Sequence, residues 1–128
     1  MTELSRRRVA VASPDPTLAA RVTHALTAAG HDVVLVGDSP FDAMEAAFSR
    51  TVEVLVLDQE LARLSGSAVA EMIASAESAV KVVLLERRHP EEPGLGEGPP
   101  VLDPEEPGFE AALGLAVGGA AAESPRGQ

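Results

Sequence analysis

A chain of 128 residues, 45% of them hydrophobic, is long enough for one domain with a real core and too apolar to be disordered throughout. It has no Cys, Trp or Tyr, which excludes disulfides, thiolate zinc sites and Cys nucleophiles and leaves Val, Leu, Ile and Ala to build the core. The formal charge of −10, with Arg6, Arg7 and Arg8 as the one basic cluster, argues against nucleic-acid binding, and no apolar run approaches the ~20 residues of a membrane span. The apolar stretch at residues 9–12 is too short for a signal peptide, so the expected location is cytoplasmic.

The segment RRRVAVASPDP predicts a short buried strand running into a turn. Asp15-Pro16 is a helix start: the carboxylate caps free amides and Pro suits the first helical position. Leu18, Val22, Ala25, Leu26 and Ala29 then fall at helical spacing, and Gly30 closes the helix. HDVVLVGDS predicts a second strand. Ser39-Pro40 opens a second helix, with Asp42 placed as in a capping box and Phe41, Met44, Ala47 and Phe48 as its expected apolar face. TVEVLVLD predicts a third strand ending on Asp58. Residues 65–76 predict a third helix with Val69, Met72, Ile73 and Ala76 inward, and VKVVLL a fourth strand.

The pattern breaks at residues 89–100, HPEEPGLGEGPP, where Pro and Gly exclude a stable helix. A very short strand near Val101 and Leu102 and a weak helix follow, with Phe109, Leu113 and Ala116 able to pack and Gly114 weakening it. Residues 1–117 are expected to form one domain, and 118–128 a flexible tail. The strands are continuous apolar runs that alternate with helices. This predicts an α/β fold with a doubly wound, five-stranded parallel sheet covered on both faces.

Open sheets of this kind gather functional groups at the carboxyl ends of their strands. Asp15, Asp58, Glu86 and Asp103 all fall at such ends and are expected to share one acidic crevice. Crowded carboxylates repel, so a divalent cation is one candidate occupant. His24, His31 and His89 lack metal-ligand spacing and have no evident Ser or Asp partner. GLGEG at 94–98 lacks the strand–helix setting and the lysine of a phosphate loop. From Glu86 onward acidic residues outnumber basic ones, which is expected of a solvated surface or a docking face for a basic partner.

The order of elements, and VEVLVLDQELARLSG at 52–66 above all, resembles the receiver domain of two-component response regulators. DPTLAARVTHALTAAGHDVV adds to the likeness, which covers residues 8–86 well and 101–117 loosely. The resemblance implies a flavodoxin-like receiver fold, with the fourth helix replaced here by the Pro/Gly-rich loop. It makes Asp58 the counterpart of the aspartate that takes a phosphoryl group from a histidine kinase.

The sequence departs from that pattern where the chemistry sits. Ser13 and Pro14 stand where the family has an acidic pair for Mg²⁺. Glu86 replaces its Thr or Ser. Asp103, before Pro104, replaces its Lys. Lys81, the one lysine of the chain, lies at the opposite end of the fourth strand. The fifth strand also lacks the family's switch aromatic. The expected function is therefore a stand-alone, degenerate receiver (a pseudo-receiver) and not an enzyme. It would act as a phosphorylation-independent interaction module in bacterial-type signalling. A signalling protein or histidine kinase is the expected partner, the first helix a candidate contact surface, and a homodimer is open. Two alternatives stand beside it. One is an active single-domain regulator phosphorylated on Asp58, with Asp15 and the Glu60 carbonyl helping to hold Mg²⁺. The other is a cation sensor using the acidic crevice.

Overall fold

The computed structural model describes residues 6–49, 51–61, 63–76, 79–87 and 100–118. Of the expected fourth-helix replacement at 89–100 all but Pro100 lies outside them, and of the expected tail at 118–128 all but Gly118, which belongs to the last helix. The described elements are β1 (Arg8–Ala12), α1 (Pro16–Ala28), β2 (Asp32–Gly37), α2 (Pro40–Ala47), β3 (Val54–Asp58), α3 (Gly66–Ser75), β4 (Lys81–Leu85), β5 (Val101–Leu102) and α4 (Phe109–Gly118). All strand pairs are parallel, in the order β2-β1-β3-β4-β5. This is the doubly wound α/β sheet that the apolar runs predicted.

Alternate residues of each central strand feed two separate cores. On one face Val9, Val11, Val54, Val56, Val83 and Leu85 pack with α1 and α4, through Leu18, Val22, Leu26, Phe109, Leu113 and Val117. On the other, Ala10, Ala12, Leu55, Leu57 and Leu84 pack with α2 and α3, through Ala43, Ala46, Ala47, Val69 and Ile73. Because both faces are covered, no polar alternation is possible in β1 or β3, and their sequences read as unbroken apolar runs.

The helix starts follow the capping signals. Asp15 accepts from the amides of Thr17 and Leu18, Ser39 from Asp42, and Ser65 from Ala68. Gly30, just past α1, has φ 94°, a left-handed conformation that favours glycine. The helix faces differ from expectation in two places. In α2 the buried face is Pro40, Ala43, Ala46 and Ala47, while Phe41 and Phe48 are 60% and 50% exposed. In α3 Ala70 is buried, and Met72 and Ala76 face outward. Small Ala side chains let these short helices lie close to the sheet, so bulk is displaced to the outside.

In α4, Val117 takes the buried place expected of Ala116, which is only partly buried against the core. Gly114 has a packing role: a Cβ there would stand 3.2 Å from the Ala29 Cβ. The same junction of α1 and α4 carries the Arg21–Glu110 ion pair at 2.6 Å, with the Arg21 guanidinium 4.9 Å from the Phe109 ring centroid. Hydrogen bonding to Arg21 holds the exposed Glu110 carboxyl below its ordinary range.

The phase of α2 is testable. Ala43 is fully buried, so Ala43→Leu should overpack the core and lower the unfolding free energy by about 1–3 kcal/mol. Phe48→Ser should change it by no more than ~0.5 kcal/mol. Urea titration of both variants reads the difference, and the reverse ranking would mean that the aromatic face is the buried one.

Candidate functional site at the carboxyl ends of the strands

Asp58 is the last residue of β3 and pairs in register with Leu85 of β4. Its side chain sits at the sheet's carboxyl edge and is 3% exposed. Both carboxylate oxygens are engaged. The Ser13 hydroxyl donates to Oδ2 at 2.7 Å, and the Glu60 amide donates to Oδ1 at 2.9 Å. Ser13, just past β1, is itself 3% exposed and fixed by its own amide donating to the Gly37 carbonyl at 3.0 Å. The Asp15 amide donates to the Ser13 hydroxyl at 3.1 Å. A relay of polar contacts thus runs from the start of α1, through Ser13, to Asp58.

The glycine eight residues after Asp58 has a steric reason. A Cβ on Gly66 would stand 2.8 Å from the Asp58 carbonyl oxygen and 3.1 Å from the Gln59 Cα. Backbone cannot yield as a flexible side chain would, so only glycine lets α3 start this close to the end of β3. Gln59 completes the junction. Its side chain accepts from the Ser67 amide at 2.6 Å, and its amide nitrogen reaches the Ser67 hydroxyl at 2.8 Å and Glu86 at 3.4 Å.

The four carboxylates expected to share a crevice make no metal-holding group: among the described residues no three His, Asp or Glu side chains converge closely enough to hold a metal ion. Asp15 spends Oδ1 on the α1 amides, with Oδ2 3.7 Å from Arg87. Asp103 accepts from the Glu105 amide at 2.9 Å in a local turn. Glu86 accepts from the Gln59 side-chain amide at 3.4 Å, a neutral contact. Each carboxylate has a donor of its own nearby, which offsets their mutual repulsion without a cation. His31 is buried, and its Nδ1 accepts from the Arg7 amide at 3.2 Å. Exposed His24 lines a groove along α1.

Arg87 is the site residue that sequence reasoning missed. It follows β4 and reaches two ways, to Glu105 at 3.0 Å and to Asp15 at 3.7 Å. The Glu105 hydrogen bond, helped by the charges of Glu105, Glu60 and Asp58 and opposed by desolvation, holds its guanidinium above the usual arginine range. It is a permanent cation within electrostatic reach of Asp58. Its partners are distant in sequence, so the signal available was its place beside a strand end.

The residues after β1 do not supply the carboxylate pair that Mg²⁺ favours. The ion wants octahedral oxygen ligands, mostly carboxylate and water. Here Ser13 and Pro14 offer one hydroxyl, which Asp58 already holds, and the neighbouring Asp15 faces a guanidinium.

No family model matches the sequence, and no curated protein matches it. Solved structures do. The signal receiver domain of NarL from Mycobacterium tuberculosis matches with a TM-score of 0.78 and 24% identity, over 94% of this chain and 98% of that one. A DNA-binding response regulator of the LuxR family from Staphylococcus aureus gives a TM-score of 0.75 at 16% identity, over 91% and 99%. The receiver domain of the Francisella response regulator 1452 gives 0.73 at 20%, over 88% and 93%. The chain therefore has the flavodoxin-like receiver fold.

Two substitutions separate the buried contact from the surface one. Ser13→Ala leaves a buried Asp58 oxygen without its donor and should cost about 1–3 kcal/mol of stability. Arg87→Gln removes half-exposed ion pairs and should cost no more than ~1 kcal/mol. Denaturant unfolding of each variant measures this; equal losses would place Asp58 in a better-solvated setting than its burial implies. Gly66→Ala should destabilise by about 1–3 kcal/mol through its clash with backbone, read from the same unfolding curves.

Proposed function

We propose that this chain is a degenerate receiver that works in bacterial-type signal transduction by binding a protein partner, without accepting a phosphoryl group on Asp58. One observation carries the reading: Asp58 is buried, and both its oxygens are already held, by Ser13 and by the Glu60 amide. A phosphoacceptor needs a free, accessible oxygen to attack the donor. It also needs groups that stabilise the charge as it develops. Ser13 and Pro14 offer no carboxylate pair for a metal. Lys81 starts β4, at the far end from Asp58, and is the one lysine in the sequence. The partner is a signalling protein or histidine kinase. Phe41, Phe48 and Met72, exposed on the adjoining helices α2 and α3, suit such contact.

A second reading, phosphorylation of Asp58 in a phosphorelay, is favoured by Arg87. A phosphoryl group adds about −1.5 to −2 charge, assuming phosphoserine-like titration, and Arg87 is the cation placed to answer it. It would require the Ser13 contact to open.

Incubation with acetyl phosphate and Mg²⁺, followed by intact mass, separates the two, with Asp58→Asn as control. The expected result is no added phosphoryl group on the folded wild type. Beryllofluoride should leave the amide NMR spectrum around residues 58–66 unchanged. One phosphoryl group on the wild type and none on the Asn variant would overturn the proposal.

A further inference from the structure

Aromatic side chains are scarce in this chain and unevenly placed. Of its three Phe, Phe109 is buried in the core, and the other two stand exposed on α2, with Phe48 at its C-cap. An α-helix turns about 100° per residue, so residues seven apart fall almost in line. Phe41 and Phe48 therefore share one line along α2. The buried residues Pro40, Ala43, Ala46 and Ala47 lie on the opposite side, so the two rings occupy the face turned furthest from the sheet. Glu45, also exposed, lies on that outward face between them, four residues after Phe41 and three before Phe48. Met44, partly buried against the core, borders the line on its inner side. Single exposed apolar side chains are ordinary on a protein surface. An apolar line at this spacing along one helix is the pattern by which one helix lies against another.

The charge on this helix is of one sign. α2 holds Asp42 and Glu45 and no Lys or Arg, and Asp38 precedes it. Among the described residues none of these three carboxylates has an ion-pair partner. The Asp38–Asp42 contact joins a backbone amide to a carboxylate, so both charges remain. The place of Glu45 decides between occupants. A second copy of the chain, packed antiparallel about the middle of α2, would bring two copies of Glu45 together between the rings, where like charges repel. An anionic lipid surface would meet the same carboxylates. A helix with Lys or Arg at the centre of its apolar face would pair that cation with Glu45 and lay its apolar side chains on Phe41 and Phe48. The aromatic faces favour a cation beside them as well.

We propose that the outward face of α2 docks an amphipathic helix of a partner protein, one that carries a basic residue at the centre of its apolar stripe. This rests on the partner-binding role proposed above and deepens it by naming the partner's chemistry. Phe41 and Phe48 supply the buried contact, as aromatic anchors do at the centre of an interface. Glu45 sets the register of the incoming helix, because a slip of one turn would leave the carboxylate against an apolar side chain.

The probe is a synthetic peptide of about 18 residues, long enough to hold a helix, with Leu along one face, Lys at the centre of that face and one Trp at its end. The chain has no Trp, so the peptide's fluorescence reports binding to the full chain. The wild type should bind saturably with a Kd below ~100 μM, and amide NMR shifts should centre on residues 39–49. Phe41→Ser combined with Phe48→Ser should weaken binding at least about tenfold. Glu45→Arg should weaken it about as much, and a peptide with Glu in place of its central Lys should recover binding to that variant. All three positions are exposed, and circular dichroism confirms that the variants fold. No saturable binding, shifts centred on another element, or binding that survives these substitutions would overturn the proposal. So would a wild type that dimerises, or binds phosphatidylserine vesicles, through the two Phe. The outcome is separate from that of the acetyl phosphate experiment. A wild type that takes neither phosphoryl group nor peptide keeps the degenerate reading and loses this docking surface, whereas one that takes both loses the degenerate reading alone.

Discussion

The buried carboxylate of Asp58 is the constraint around which the upper end of this fold is arranged. A charged group removed from water must find donors or lose its charge. Here the donors are the hydroxyl that follows β1 and an amide of the loop that follows β3. Three elements are fixed at once by that need: the end of β1, the turn into α1, and the loop that leads to α3. Gly66 adds a steric condition from below, because α3 must begin against the Asp58 carbonyl. The carboxylate that resembles a reaction centre in sequence also ties, in the structure, the end of β3 to the end of β1.

Electrostatics near this tie are organised by pairing and not by pooling. Asp15 caps a helix, Asp103 closes a turn, Glu86 meets an amide, and Arg87 spans Asp15 and Glu105. The Arg87 contacts are half exposed, so they add little stability, about 0–1 kcal/mol each. Their effect is positional. They set a fixed positive charge beside β4, where the receiver pattern has hydroxyl and lysine chemistry on neighbouring strands.

Much of the fold was legible in the sequence because it rests on local signals. Val9–Ala12 and Val54–Leu57 read as strands buried on both faces, and Asp15, Ser39 and Ser65 marked helix starts through their own side chains. Helix phase was harder. In α2 the set Phe41, Met44, Ala47, Phe48 and the set Pro40, Ala43, Ala46, Ala47 both have helical spacing, and hydrophobicity favours the first. Closeness to the sheet favours the second, and closeness is a tertiary fact. The site was half legible for the same reason. Asp58 and Gly66 lie on one continuous segment, whereas the Ser13–Asp58 bond and the Arg87 bridges join residues that only the sheet order brings together.

The two cores also differ in when they can close as the chain is made. The fully buried residues of the core beneath α2 and α3 lie between Ala10 and Leu84, so all of them exist in sequence once β4 does, with only Val101 of β5 still to pack against them. The opposite core waits for Phe109, Leu113 and Val117 of the last helix. Until those residues leave the ribosome, Val54, Val56, Val83 and Leu85 have one bare face. A nascent chain that holds all the buried residues of its first core still carries an open apolar surface, the kind of intermediate that associates wrongly or calls for a chaperone. The apolar α4, with its small Gly114 seated on Ala29, is thus the step that ends this protein's exposure during synthesis.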